Sequence, residues 1–362
     1  MKVGLLTWHQ AVNHGAVLQA YATQKNLESF GCETVVLDYD WSIYDNKKNV
    51  IIKKFKKLTP NYLVWRYNVQ KFFKAKETIF HDFVQEWLNV SGKYYDEEGL
   101  DAVLIGSDMV FDIIEGYNPF MYGKDVPCNY IFSYAASFGY TTTKIIENSG
   151  RKTEISTCLS KLKAIGYRDQ NTKELIDYLQ VTTPTTFTID PVLAYGFNDE
   201  VIDWDTGKWR QEKYLLIYSY QSNMDDKETI RAIKRLAREE KLRIISLGYY
   251  HSWCDDCINV SPVEMLEVFK YAKYIITDTF HGTVFSLILH KKFASIIRGN
   301  GFKLQYLLDK SGMKSRIALN AKDIPSCLQC ELNYDKFDEW LEMEREKSLS
   351  FIKNNLIDAK GE

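Results

Sequence analysis

Short apolar, β-branched runs alternate with amphipathic stretches along almost the whole chain, and that alternation predicts strands followed by helices. Val3–Trp8 reads as the first strand. Ala16, Val17, Ala20, Tyr21, Gln24 and Leu27 then fall on or near one helical face that stops at Gly31, and Glu33–Tyr39 forms the second strand. Further buried strands are expected at Asp101–Asp108, Asn129–Ser137, Ala164–Asp169 and Thr186–Asp190, with helices near Glu154–Lys163 and Asn171–Leu179 between them. Residues 196–212 are polar, show no clear period and mark a boundary. The alternation then restarts: strands at Lys213–Tyr220 and Leu242–Gly248, helices at Asp226–Lys241 and from the Ser261-Pro262 cap to Ala272, then a strand, helix and strand over Tyr274–Arg298. A helix at Lys303–Ser311 and a charged helix from about Asp335 to Asn354 complete the pattern.

Strand and helix in regular succession give an α/β fold with two Rossmann-like doubly wound domains facing a crevice, a GT-B-like arrangement. The expected domains are 1–195, with a basic insertion at about 45–80, and 213–334. The helix of 335–362 is expected to pack back on the first domain.

Composition changes this picture little. The chain has 362 residues, 45% hydrophobic and 26% charged, and a net charge of −2, which argues against a general nucleic-acid binder. Aromatic content is 14%; the rings suit sugar stacking and core filling alike. No apolar run reaches the roughly 18 residues of a membrane span. Met1-Lys2 leads directly into the first strand without a signal segment, so a cytoplasmic location is expected.

One segment stands apart by charge. Lys47–Lys76 carries ten Lys or Arg residues, no Asp or Glu, and interleaved Phe55, Tyr62, Trp65, Tyr67, Phe72 and Phe73. It suits peripheral contact with an anionic membrane face, and equally a solvated helical insertion with its rings packed inward. Cys254/Cys257 and Cys327/Cys330 are two pairs at zinc-ligand spacing; brought together they would make a four-thiolate structural site, and apart they are ordinary thiols.

The chemistry concentrates at strand ends. Tyr274–Thr277 stops at Asp278; Thr279 caps the next helix, and His281, Gly282 and Thr283 lie in its first turn. Helix amides at such a turn favour an anion, so this turn is expected to hold a phosphate. His9, Asn13, His14 and Gly15 follow the first strand, where they serve as site residues or as ordinary loop polars. Asp108 ends the third strand, and Arg168 stands at a strand-to-helix junction suited to gripping phosphate or carboxylate.

Several of these segments coincide with one family. Gly4–Tyr21, Ile105-Gly-Ser-Asp108, Ser133–Gly139, Tyr167-Arg-Asp169, Asp190-Pro191 and Thr277–Ser286 resemble, in order, motifs of the polysaccharide pyruvyl transferases. The resemblance implies a GT-B-like fold and transfer of the enolpyruvyl part of phosphoenolpyruvate to two sugar hydroxyls. The products are a pyruvate ketal and free phosphate, with no cofactor beyond this co-substrate. It implies an acceptor in a lipid-linked or soluble cell-surface glycan precursor, bound on the side of the first domain by His9, Asn13, His14 and Gly15, with the donor on the side of the second. His281 matches the family's signature histidine and Arg168 an arginine that contacts phosphoenolpyruvate. Thr279 departs from the pattern, standing where active members often carry Arg, and Arg298, Lys303 or Arg316 could supply the missing charge. Chemically, His281 suits a general acid, with Asp278 or Asp108 orienting or deprotonating the sugar hydroxyl. Arg168 and the Gly282 and Thr283 amides suit the anionic groups. Two other readings fit the same fold: a GT-B glycosyltransferase using a nucleotide sugar, and a non-catalytic glycan-binding relative.

Overall fold

A computed structural model describes residues 1–39, 60–91, 98–114, 116–221, 223–298, 301–331 and 333–361. The first part of the basic segment, 47–59, lies outside them.

Two six-stranded parallel sheets carry the fold. The first contains β1 (Lys2–Leu6), β2 (Glu33–Val36), β3 (Ala102–Ile105), β4 (Ile131–Ala136), β5 (Ile165–Tyr167) and β6 (Thr185–Phe187), in the order β2-β1-β3-β4-β5-β6. The second contains β7 (Tyr214–Tyr218), β8 (Arg243–Leu247), β9 (Asp256–Ile258), β10 (Tyr274–Thr277), β11 (Phe293–Ile296) and β12 (Ile317–Ala318), in the order β12-β11-β10-β7-β8-β9. Covered on both faces by helices, the central strands read as continuous apolar runs; β1, β3, β7 and β10 are buried almost throughout.

Both orders reverse once, between β1 and β3 in the first sheet and between β7 and β10 in the second. Ligands of open α/β sheets sit outside the strand ends at such reversals. Register places Leu5 beside Leu104 in one sheet and Thr277 beside Tyr218 in the other, so the chain leaves each neighbouring pair at one level.

Much of the aromatic content is core. Tyr21, on the helix His14–Ser29, packs against Phe83, Trp87, Tyr195, Phe197 and Trp204 at centroid distances of 5.8 to 6.3 Å. The inserted residues form the helix Pro60–Trp87, whose inner face buries Phe80 and Phe83. The last helix, Asp335–Gly361, lies on the first sheet's side: Ser348 Oγ accepts the Ile189 amide, Arg345 donates to the Leu193 carbonyl, and Phe351 meets Phe132. No described helix is long and apolar enough to cross a membrane.

Candidate functional site

Loops from both reversals, and from the ends of β4, β5 and β6, converge between the sheets. After β3, Gly106 has φ 126°, and a Cβ there would lie 2.1 Å from the Tyr134 carbonyl oxygen, so only glycine passes. The chain then turns Asp108 toward the end of β5. Arg168, just beyond β5, donates through Nη2 to Asp108 and through Nη1 to Asp190, both at 2.6 Å. Its side chain and that of Asp190 are almost wholly buried, and Phe280 lies 4.4 Å below the guanidinium carbon.

Burial alone would raise the Asp108 carboxyl, but Arg168, with His281 and Lys303, pushes it down to about 2. Asp190 is likewise held below its ordinary range, burial being outweighed by His281 and Arg168. His281 presents Nε2 to Asp190 at 3.5 Å. Its ring presses on the start of the first helix so closely that a Cβ on Gly15 would stand 2.3 Å from it. Gly15 is therefore required by that contact.

Two buried charged groups of the second domain, Asp278 and Lys303, face this cluster. The side chain of Asp278, directly after β10, is 1% exposed with Arg298 Nε 3.6 Å away, and among the described residues neither carboxylate oxygen has a hydrogen bond of good geometry. Burial pushes its carboxyl above the ordinary range, with Ser219, Asn223 and Arg298 opposing the rise. Lys303 is 9% exposed, its amine 5.0 Å from the Tyr140 ring centroid, and it makes no ion pair among the described residues. Burial and Arg168 lower it; Asp108, Asp169 and Asp112 oppose them. Tyr140 and Tyr220, 48% and 38% exposed, stand near these carboxylates from opposite domains. Tyr249 meets Tyr220 edge-on at 5.6 Å.

Other expected residues do different work. Gly282 N–H donates to Thr279 Oγ1 at 2.9 Å and Thr283 N–H to the Thr279 carbonyl at 3.2 Å, so neither amide is free for a phosphate. Gly282 is enforced by packing, since a Cβ would sit 2.2 Å from Thr277 Oγ1. Thr279 is a helix cap, and the Thr283 hydroxyl is taken by Thr279 O and Ser295. Arg316 is not in the crevice: fully buried, it donates to the Cys327 and Cys330 carbonyls and closes the end of the helix Ile324–Gln329. Arg298 does face Asp278, and also Asp226 at 3.2 Å.

The expected acceptor residues divide. His9 is buried on Asp38 and the Thr7 carbonyl. His14 is sealed between Phe80 and Tyr218, with Nε2 donating to the Val260 carbonyl of the second domain. Asn13 caps its helix and reaches the Tyr249 hydroxyl at 3.5 Å. The cysteine pairs do not meet. Cys257 lies on β9 and Cys327 beside β12, the two opposite edges of one sheet, about 24 Å apart at ordinary strand spacing. Among the described residues no three His, Cys, Asp or Glu side chains are grouped to hold a metal ion.

Solved structures share the fold. A UDP-N-acetylglucosamine 2-epimerase superposes with a TM-score of 0.56 at 10% identity, covering 100% of this chain and 96% of that one. S. aureus MnaA, solved with UDP, gives 0.54 at 13%, covering 98% and 96%. The UDP-GlcNAc 2-epimerase of Neisseria meningitidis, bound to UDP-GlcNAc, gives 0.52 at 9%, covering 99% and 100%. At such identities the likeness is one of fold, and the fold is GT-B. No protein of curated function matches the sequence at a significant level. The sequence profile of the polysaccharide pyruvyl transferases matches residues 13–300, a span that contains Asp108, Arg168, Asp190, Asp278 and His281. With most of its length matched, this chain belongs to the polysaccharide pyruvyl transferase family.

Proposed function

We propose that this protein transfers the enolpyruvyl part of phosphoenolpyruvate to two hydroxyls of a sugar in a cell-surface polysaccharide precursor, closing a pyruvate ketal and releasing phosphate. The observation that carries the reading is Lys303, a nearly buried cation beside Arg168 and Asp108 with no ion pair of its own among the described residues. An enclosed, unmatched ammonium is costly unless an anion joins it. Arg168 is already neutralised by two aspartates, so it organises the site, while Lys303 meets the donor's phosphate and carboxylate.

In this scheme His281, oriented by Asp190, gives a proton to the methylene carbon, and a sugar oxygen bonds to the adjacent carbon. Asp278 takes the hydroxyl proton. Its burial brings it nearer working pH than Asp108, which is too acidic to serve as a base. The carbon–oxygen bond to phosphate then breaks, and the second hydroxyl closes the ring. Of the two hydroxyl protons, one ends on the new methyl group and one on phosphate. The acceptor sugar enters between Tyr140 and Tyr220.

The test is calorimetric titration of the full chain with phosphoenolpyruvate, followed by phosphate release with glycan acceptors. Lys303→Met is expected to weaken phosphoenolpyruvate binding at least ~10-fold, a charge-assisted contact being lost. Binding of UDP with no binding of phosphoenolpyruvate would overturn the proposal in favour of a nucleotide-sugar enzyme. Glycan binding without turnover of either donor would make the protein a non-catalytic relative.

A further inference from the structure

We infer that the outward face of the helix Pro60–Trp87 docks on an anionic lipid surface. The two faces of this helix differ sharply. Inward, Phe80 and Phe83 are buried, Asn68 donates to the Tyr250 hydroxyl at 3.3 Å, and the Phe72 carbonyl accepts from Asn259 at 2.7 Å. These contacts fix the helix to the second domain as well as the first. Outward, Leu63, Val64, Tyr67 and Phe73 are 48%, 59%, 65% and 40% exposed. Exposed Arg66, Lys71 and Lys74 stand among them.

Positions 63, 67, 71 and 74 repeat at helical spacing, so Leu63, Tyr67, Lys71 and Lys74 share one stripe about 16 Å long. No acid occurs from 60 to 76, whereas Glu77, Asp82 and Glu86 occupy the exposed face of the second half. The change of sign along one helix confines the patch to its first turns. The sequence just before is also basic (Lys53, Lys54, Lys56, Lys57), though it lies outside the described residues.

The mixture selects the occupant. Leu63 and Val64 offer nothing to a nucleic-acid backbone, and a second copy of the chain would set Arg66, Lys71 and Lys74 against themselves. A bilayer of anionic lipid accepts both kinds of residue at once: aliphatic groups and the tyrosine ring enter the headgroup layer, and the cations meet lipid phosphates. The attachment is reversible, since the buried apolar area is small.

The test is co-sedimentation of the full chain, without donor or acceptor, with vesicles of phosphatidylcholine alone or mixed with phosphatidylglycerol. It therefore stands or falls separately from the proposed activity. Binding is expected only to the mixed vesicles and to weaken with salt. Each cation beside such a surface tightens binding roughly fivefold, so Arg66→Gln, Lys71→Gln and Lys74→Gln together are expected to weaken it roughly hundredfold. Leu63→Ser with Tyr67→Ser should weaken it at unchanged net charge. All five positions are exposed or face solvent, so melting temperatures should match the parent's. Failure to bind the mixed vesicles, equal binding to both vesicle types, or triple-variant binding equal to the parent's would overturn the inference. Self-association through this face, or tighter binding to RNA than to vesicles, would do so too.

Discussion

Replacing Arg168 by Met keeps the volume of the side chain and removes its charge. In the native protein the guanidinium lies between Asp108 and Asp190, 2.6 Å from each, with side-chain exposures of 1%, 16% and 0% for Arg168, Asp108 and Asp190. Removing one partner of a buried ion pair costs about 3–5 kcal/mol, because the other charge is left uncompensated. For a unit of this size each kcal/mol lowers the melting temperature by roughly 2–4 °C, so a fall of roughly 6–20 °C is expected at neutral pH. The sign of the pH dependence follows from the depressed carboxyls. Asp108, pushed down to about 2, contributes stability that is fully present above the unfolded carboxylate range and is lost as pH falls through about 2. In the variant that contribution is absent, and both aspartates take up protons sooner on acidification. The deficit should therefore be largest near neutrality and shrink toward pH ~4. Melting followed by circular dichroism over that range reads it directly. A variant within ~2 °C of the parent at neutral pH, or a deficit independent of pH, would refute the reasoning.

Other substitutions probe neighbouring groups. Asp278 has a raised carboxyl, so its buried charge subtracts stability above its folded pKa and nothing below the unfolded value. Asp278→Asn should thus raise the melting temperature at neutral pH, lose that gain below about pH 4, and abolish phosphate release. Lys76 is fully buried with no hydrogen bond among the described residues, its amine 4.4 Å from the Tyr249 ring centroid, and burial pushes it down to about 7. A base depressed in the fold makes stability rise with pH between the folded and unfolded values. Lys76→Met should stabilise the protein at neutral pH, by an amount that fades toward pH ~10 in thermal melts. Arg316→Met should destabilise by about 2–4 kcal/mol through the stranded Cys327 and Cys330 carbonyls, leaving phosphoenolpyruvate affinity unchanged by calorimetry. A change in that affinity would return Arg316 to the donor site.

The frame of the fold was legible because strands covered on both faces must be apolar throughout. Runs such as Ala102–Ile105 and Tyr274–Thr277 therefore announce themselves. β9, three half-buried residues containing Asp256 and Cys257, carries no such mark and reads as loop until β8 is beside it. At the site, Asp278 and His281 follow from their place after a strand. What the sequence could not convey is which donors are already spent. Thr279 signals a cap, yet only the folded turn reveals that the cap and the first helical bond consume the Gly282 and Thr283 amides. Arg316 is similar: its guanidinium could point anywhere until the helix Ile324–Gln329 supplies carbonyls for it. Arg168 was placed rightly at a strand end, but its two aspartates come from residues 60 positions before it and 22 after.

The closing helix, Asp335–Gly361, has a bearing on how the molecule is made. It buries Phe337, Ile352 and Leu356 and completes the side of the first sheet to which Ile189 and Phe132 belong. During synthesis these residues leave the ribosome only after the entire second sheet has emerged. The earliest strands must wait, with part of their apolar surface uncovered, until this helix has emerged, so a chain stalled on the ribosome just before it would be a species much in need of a chaperone.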